Sequence, residues 1–249
     1  MLFGVCSNLK AQNCNVADIT LTTQTAIDNF QTTFGPCTTV TGNLFIQDDN
    51  NGVDNIVNVD GLSNISSIGG NLEVLSNANL INLDGLSSLN SVGGNLSIIF
   101  NADLANLDGL SNVNNIGGDF RISNNADLTN LNGLSSVNTI SGDFVVEFNS
   151  NLANVNGLSN VNNIGGDLIF ENNSNLTTIS GFSSLSSIGE DLVFENNNNL
   201  TDINGLSNLS SIGRDLRIQS TGLANLDDLS NVSSVGNRLQ LIGNNIKPV

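Results

Sequence analysis

The sequence predicts an all-β fold: a right-handed β-helix, or solenoid, of 24-residue coils stacked behind an N-terminal capping helix. Three observations carry this. First, Gly-Leu recurs at Gly61-Leu62, Gly85-Leu86, Gly109-Leu110, Gly133-Leu134, Gly157-Leu158 and Gly205-Leu206, with Gly181-Phe182 in the remaining slot, always in register with a step of 24. Second, like apolar residues fall into columns at that step, such as Ile68, Val92, Ile116, Ile140, Ile164, Ile188 and Ile212. Third, Asn, Ser, Gly and Asp fill the space between them, and these are poor helix formers. Self-similarity at a fixed period is the mark of a solenoid, whose single units cannot bury their apolar side alone.

Within one coil the spacing predicts local structure. Leu72 and Val74 lie two apart, so both point to one side of a short strand. Leu80, Leu83, Leu86, Leu89 and Val92 lie three apart; given the composition, we read them as extended segments joined by tight corners. Asparagine makes its own column at Asn77, Asn101, Asn125, Asn149, Asn173 and Asn197. Stacked amides hydrogen-bond to their copies above and below; a turn residue that tolerates left-handed backbone explains the same column. Glycine pairs such as Gly69-Gly70 and Gly93-Gly94 read as corners needing positive φ, not as phosphate loops, since no Lys-Ser or Lys-Thr follows them. The coil ending in Asp228-Leu229 is one residue short, with the deletion in the 219–222 loop, and the first coil carries four extra residues within 47–55.

The 249 residues would make one or two ordinary domains, and the repetition decides for one: a cap over 13–39 and coils over 40–249. In the cap, Thr22 or Thr23 begins a helix that puts Ile27, Phe30 and Phe34 on one face. Residues 1–12 read as the remnant of a secretory signal peptide lacking its basic start, which fits a fragment. If so, Cys6 is removed and Cys14 and Cys37 remain as a pair that an oxidising compartment would bridge, stapling the helix to the first coil. The other reading is an unstructured N-terminus with three free thiols. At the far end the chain stops mid-coil at Lys247-Pro-Val249, as a truncation or a following domain would leave it. No apolar run is long enough to span a bilayer, so membrane insertion is not expected.

Net charge is −17, from 23 acidic and 6 basic residues. That argues against nucleic acid, which needs clustered Lys and Arg. The chain has no His, Trp or Tyr, which removes most general bases and the usual sugar-stacking rings. A polysaccharide lyase or hydrolase therefore fits badly, and the chain is read as a non-enzyme. Ice binding would want a Thr ladder, which Thr129, Thr177, Thr178 and Thr201 do not make.

Assembled, the Cys14–helix–Cys37–Val40-Thr-Gly-Asn-Leu44 entry and the recurring Gly-Leu-Ser-x-Leu-x-x-Ile-Gly-Gly-Asp/Asn-Leu-x-Ile resemble the receptor L-domain, the leucine-rich β-helix of growth-factor receptor ectodomains, over residues 13–246. Bacterial surface-protein versions and fungal cell-wall proteins are similar, and Lys10-Ala11-Gln12 is like the end of a Bacteroidota export signal. The resemblance implies a secreted or cell-surface scaffold for binding or adhesion, with a protein or glycan partner and no catalytic motif. Hormone binding is not implied, because the Cys-rich modules and second disulfide set are missing.

The candidate contact surface is the outward side of three successive strands: Val145 and Glu147, Ile169 and Glu171, Val193 and Glu195. It is an apolar stripe beside an acidic ladder, continued by Glu73, Leu75 and Ile99 and bounded by Arg121 and Arg217. Ordinary β-propensity on a solvated sheet is the plainer account. Stacked carboxylates at Asp119, Asp143, Asp167, Asp191 and Asp215 raise calcium as a ligand, but Asp beside a Gly corner more often accepts backbone N–H bonds. No cofactor is expected. Self-assembly through the C-terminal edge is the alternative function.

Overall fold

The computed structural model describes residues 12–14, 18–244 and 246, the first three by backbone alone. Among the described residues the chain winds into two ten-stranded sheets, in which the strand pairs are parallel. One sheet is narrow, built mostly of two-residue strands such as Ser67–Ile68 and Ser91–Val92. The other is wide, built of four-residue strands such as Phe144–Glu147, Leu168–Glu171 and Leu192–Glu195. Register along the wide sheet is one coil per strand: Phe144 lies opposite Leu168, and Leu168 opposite Leu192. The predicted solenoid and its period are therefore the architecture of the molecule.

The apolar columns line one continuous core. Leu72, Leu96, Phe120, Phe144, Leu168 and Leu192 are fully buried, and so are the residues two further along each strand. Five phenylalanines cluster in the middle: Phe144 stacks on Phe120 at 5.2 Å, and Phe182 meets Phe144 and Phe170 edge-on at 6.3 and 6.1 Å. Phe182 stands where other coils have leucine, and its coil is the one that lacks the short helix described next.

The three-residue spacing has a different cause from the extended corners expected. Most coils carry a 3-10 helix, such as Asp84–Leu86 or Asn132–Leu134, flanked by turns. A 3-10 helix repeats every three residues, so the middle of the run, Leu83 to Leu89, takes its period from the helix and its flanking turns. The residue two before each helix, Asn82 or Asn106 for example, accepts the first helical N–H at 3.0 Å.

The glycine pairs also differ from expectation. Among described glycines only Gly35, Gly52 and Gly243 have positive φ. Gly93 and Gly94 are small because the coil beneath touches them: a Cβ would overlap the carbonyl of Gly69 and the side-chain oxygen of Asn71. The left-handed corner comes instead just after each wide strand, at Ser76, Phe100, Asn124, Phe148, Asn172, Asn196 and Ser220.

The asparagine column is a hydrogen-bonded ladder. Asn149 Oδ1 accepts the backbone N–H of Asn125 at 3.0 Å, and its Nδ2 donates to the carbonyls of Ile122 and Glu147 at 3.0 and 2.9 Å. All six asparagines are fully buried. Asp48 closes the lower end: its N–H donates to Asn77 Oδ1, while its carboxylate accepts from Asn50 and Ile56 in the enlarged first-coil loop. Thr221 takes the next slot upward, bonded to Asn244 one residue early, as the deletion requires.

The cap forms as two short helices, α1 (Gln24–Asp28) and α2 (Phe30–Thr33), broken at Asn29. Thr23 is the N-cap, accepting from Ala26 N at 3.1 Å. Ile27 and Phe30 are fully buried, and Phe34 packs against the core. Cys37 is disulfide-bonded. Its partner lies outside the described residues: Cys6 is not described, and of Cys14 only the backbone is, opposite Val40. The signal-peptide reading of 1–12 likewise lies outside, save the backbone of Gln12.

Candidate functional site

In the wide sheet, alternate residues point out of the core. Each of three consecutive coils repeats one outward order: Asp143-x-Val145-x-Glu147, Asp167-x-Ile169-x-Glu171 and Asp191-x-Val193-x-Glu195. Parallel pairing places Val145, Ile169 and Val193 side by side, and Glu147, Glu171 and Glu195 likewise. The expected stripe and ladder thus share one face, about 4.8 Å from coil to coil.

The six residues are not equally available. Val193 is only 4% exposed, although it points outward. Its neighbour across the register is Arg217, whose charge is also felt at Glu171. Glu147 is 9% exposed; Arg121 forms an ion pair with it and Ser123 Oγ donates to it at 3.1 Å. Val145, Ile169, Glu171 and Glu195 stay partly open. Burial, then repulsion from Glu195 and Glu147, raises the Glu171 pKa above the ordinary carboxylate range, against a bond from Asn172 and the charge of Arg217. Asp167 is raised too, chiefly by burial, then by its Asp143, Asp191 and Glu190 neighbours, against a bond from the backbone of Asp191.

The aspartate column has a structural task. Each carboxylate accepts the backbone N–H of the aspartate one coil on: Asp119 from Asp143 at 3.0 Å, Asp143 from Asp167 at 2.8 Å and Asp167 from Asp191 at 2.7 Å. Asn71 and Asn95 do the same lower down. Among the described residues no group of three or more His, Cys, Asp or Glu has the arrangement to hold a metal ion.

Sequence reasoning missed two residues on the rim of this face. Phe100 and Phe148 are 58% and 48% exposed, at φ 59° and 54°. They occupy the left-handed corner that other coils give to Ser or Asn. The signal was legible: an aromatic stands in a column of turn residues, next to the asparagine ladder.

Stacked coils, a buried asparagine ladder and one patterned sheet face define a repeat scaffold. A model of the BspA type leucine-rich repeat region matches residues 123–240 in six copies. A receptor L domain model matches residues 36–128. The chain thus resembles leucine-rich, receptor L-domain-like repeat proteins of the BspA type, each model matching less than half of it. No curated protein and no solved structure matches it.

Proposed function

We propose that the chain is a secreted or cell-surface binding and adhesion scaffold without catalytic activity, and that the outward face of the wide sheet between Arg121 and Arg217 holds its partner. One observation carries this: an apolar strip of Val145 and Ile169, partly open to solvent, with the exposed Phe148 at its rim, on a sheet whose other side is closed core. Exposed, contiguous apolar side chains on a soluble protein commonly mark contact with another molecule. Both matching models are of binding domains found typically outside cells, which supports a protein partner; among the described residues no helix is long and apolar enough to cross a membrane. The test is a protein and glycan array probed with the chain and with Ile169→Lys. Hits lost in the variant support this face; hits that persist refute it.

A second reading is self-assembly through the last described strand, Leu239–Ile242. Among the described residues it pairs on one side only, and Leu239, Leu241 and Ile242 are exposed. Sedimentation at several concentrations, with Leu241→Lys alongside, tests it: a mass that neither rises with concentration nor falls in the variant removes it.

A further inference from the structure

The face has a pattern that selects its occupant, and the argument rests on the binding-face reading above. Asp167, Ile169 and Glu171 are alternate residues of one extended run, so all three project from the same side. The same acid–apolar–acid order stands one coil below and one coil above. An extended segment has the same two-residue period, so its own alternate side chains meet these in register.

Charge settles the sign. Glu147 already has Arg121, and Glu190 and Asp191 have Arg214 at 2.9 and 3.9 Å. The central row has no ion pair among the described residues, and Glu195 beside it has none either. Crowded, partly desolvated carboxylates repel one another until a cation joins them. The raised titration of Asp167 and Glu171 reports burial first and that crowding second. Between them lies Ile169, which suits the aliphatic stem of a long basic side chain whose head reaches a carboxylate. Phe148, at the end of the coil below, extends the apolar ground.

We infer that the partner presents an extended protein segment with the order basic–x–apolar–x–basic, its apolar residue over Ile169 and its lysines or arginines on Asp167 and Glu171. An acidic or neutral surface would leave those carboxylates buried and unpaired, which costs affinity.

The probe is a strand peptide of repeating Lys-Thr-Leu-Thr tethered to a biosensor, with a Glu-Thr-Leu-Thr peptide beside it. The lysine peptide should bind the wild-type chain, more weakly as salt rises, and the glutamate peptide should not. Asp167→Asn with Glu171→Gln should weaken lysine-peptide binding about tenfold or more. That pair is expected to fold, since Asn fills the aspartate slot at Asn71 and Asn95 and accepts the same bond. Ile169→Ser should weaken binding with the charges intact. Asp84→Asn with Asp108→Asn removes equal charge at 3-10 helix positions where other coils have Asn132 and Asn156, and should change binding less than about twofold. Equal losses in the two charge pairs would mean a general field of the acidic protein, and the inference falls. If the glutamate peptide binds and Ile169→Ser abolishes it, the face binds but the cationic rule is wrong. If no variant alters binding, or neither peptide binds, the inference falls; only hits surviving Ile169→Lys on the array would take the binding face with it.

Discussion

Asn149→Ala removes a rung from the middle of the asparagine ladder, and the structure sets the cost. The Asn149 side chain is fully buried and serves three backbone groups: it accepts from Asn125 N and donates to the carbonyls of Ile122 and Glu147. Alanine leaves that N–H without an acceptor in a site closed to water. One orphaned donor costs about 1–3 kcal/mol, and each carbonyl that loses a donor adds about half to one more. The sum is about 2–5 kcal/mol, a large share of a typical domain's stability. Because coils touch only their neighbours, the loss should be local first. Urea titration by circular dichroism reads the total. Amide hydrogen exchange should show protection lost at Asn125 and in the coils on either side, and kept in the cap around Ile27. A loss under about 1 kcal/mol, or one spread evenly along the chain, would show that the column is merely a set of turn residues and that the ladder does not hold the coils together.

Phe148→Asn should stabilise the fold by about 1 kcal/mol, because it relieves a bulky residue of left-handed backbone, while weakening partner binding; a lower melting temperature would refute the reading of that corner. Asp167→Asn with Glu171→Gln should be at least as stable as wild type at pH 7. Both native carboxyls have raised pKa values, so the folded state holds their protons more tightly than the unfolded chain does. Wild type therefore gains on the variant as pH falls from neutral through the raised values toward the ordinary carboxylate range, and a gap that widens on acidification contradicts this. Asp54 runs the other way: hydrogen bonds from Thr25, side chain then backbone, lower its pKa against a burial effect, so its contribution to the cap is present above the ordinary range and fades as pH drops through the lowered value. Reducing the Cys37 disulfide should cost about 2–4 kcal/mol, and non-reducing peptide mapping should join Cys37 to Cys14; a Cys6–Cys37 peptide would overturn that pairing.

What the sequence made legible was whatever repeats. The columns at Ile68 or Leu72 name the core because each residue meets its own copy one coil away, so period alone fixes burial. The asparagine ladder follows from the same rule. The 3-10 turn at Asp84–Leu86 was not read, since its spacing of three also suits extended segments with corners, and only backbone geometry separates them. The glycine pairs were given the wrong cause for a related reason. A glycine forced by positive φ and one forced by a neighbouring backbone look alike in a sequence, and Gly93 is of the second kind. The period puts Val145, Ile169 and Val193 on one face, yet the burial of Val193 depends on how neighbouring side chains lie, which no period encodes.

The net charge of −17 looks at first like a statement about partners, but five of its 23 acidic residues serve the scaffold. Asp119, Asp143, Asp167, Asp191 and Asp215 each receive a backbone N–H from the next coil, a bond that Asn71 and Asn95 make without charge. A carboxylate makes that bond stronger than an amide does, but stacking five of them adds repulsion that amides avoid. The lower coils, with amides, avoid that repulsion, and the upper coils accept it. The switch from Asn to Asp begins at Asp119, one coil before the first acid–apolar–acid row, and persists through all three rows. The stronger bond would favour Asp in every coil alike, so hydrogen bonding gives no reason for the change to fall there. The cationic partner proposed above would supply one, and substitutions to Asn in this column would then separate recognition from folding.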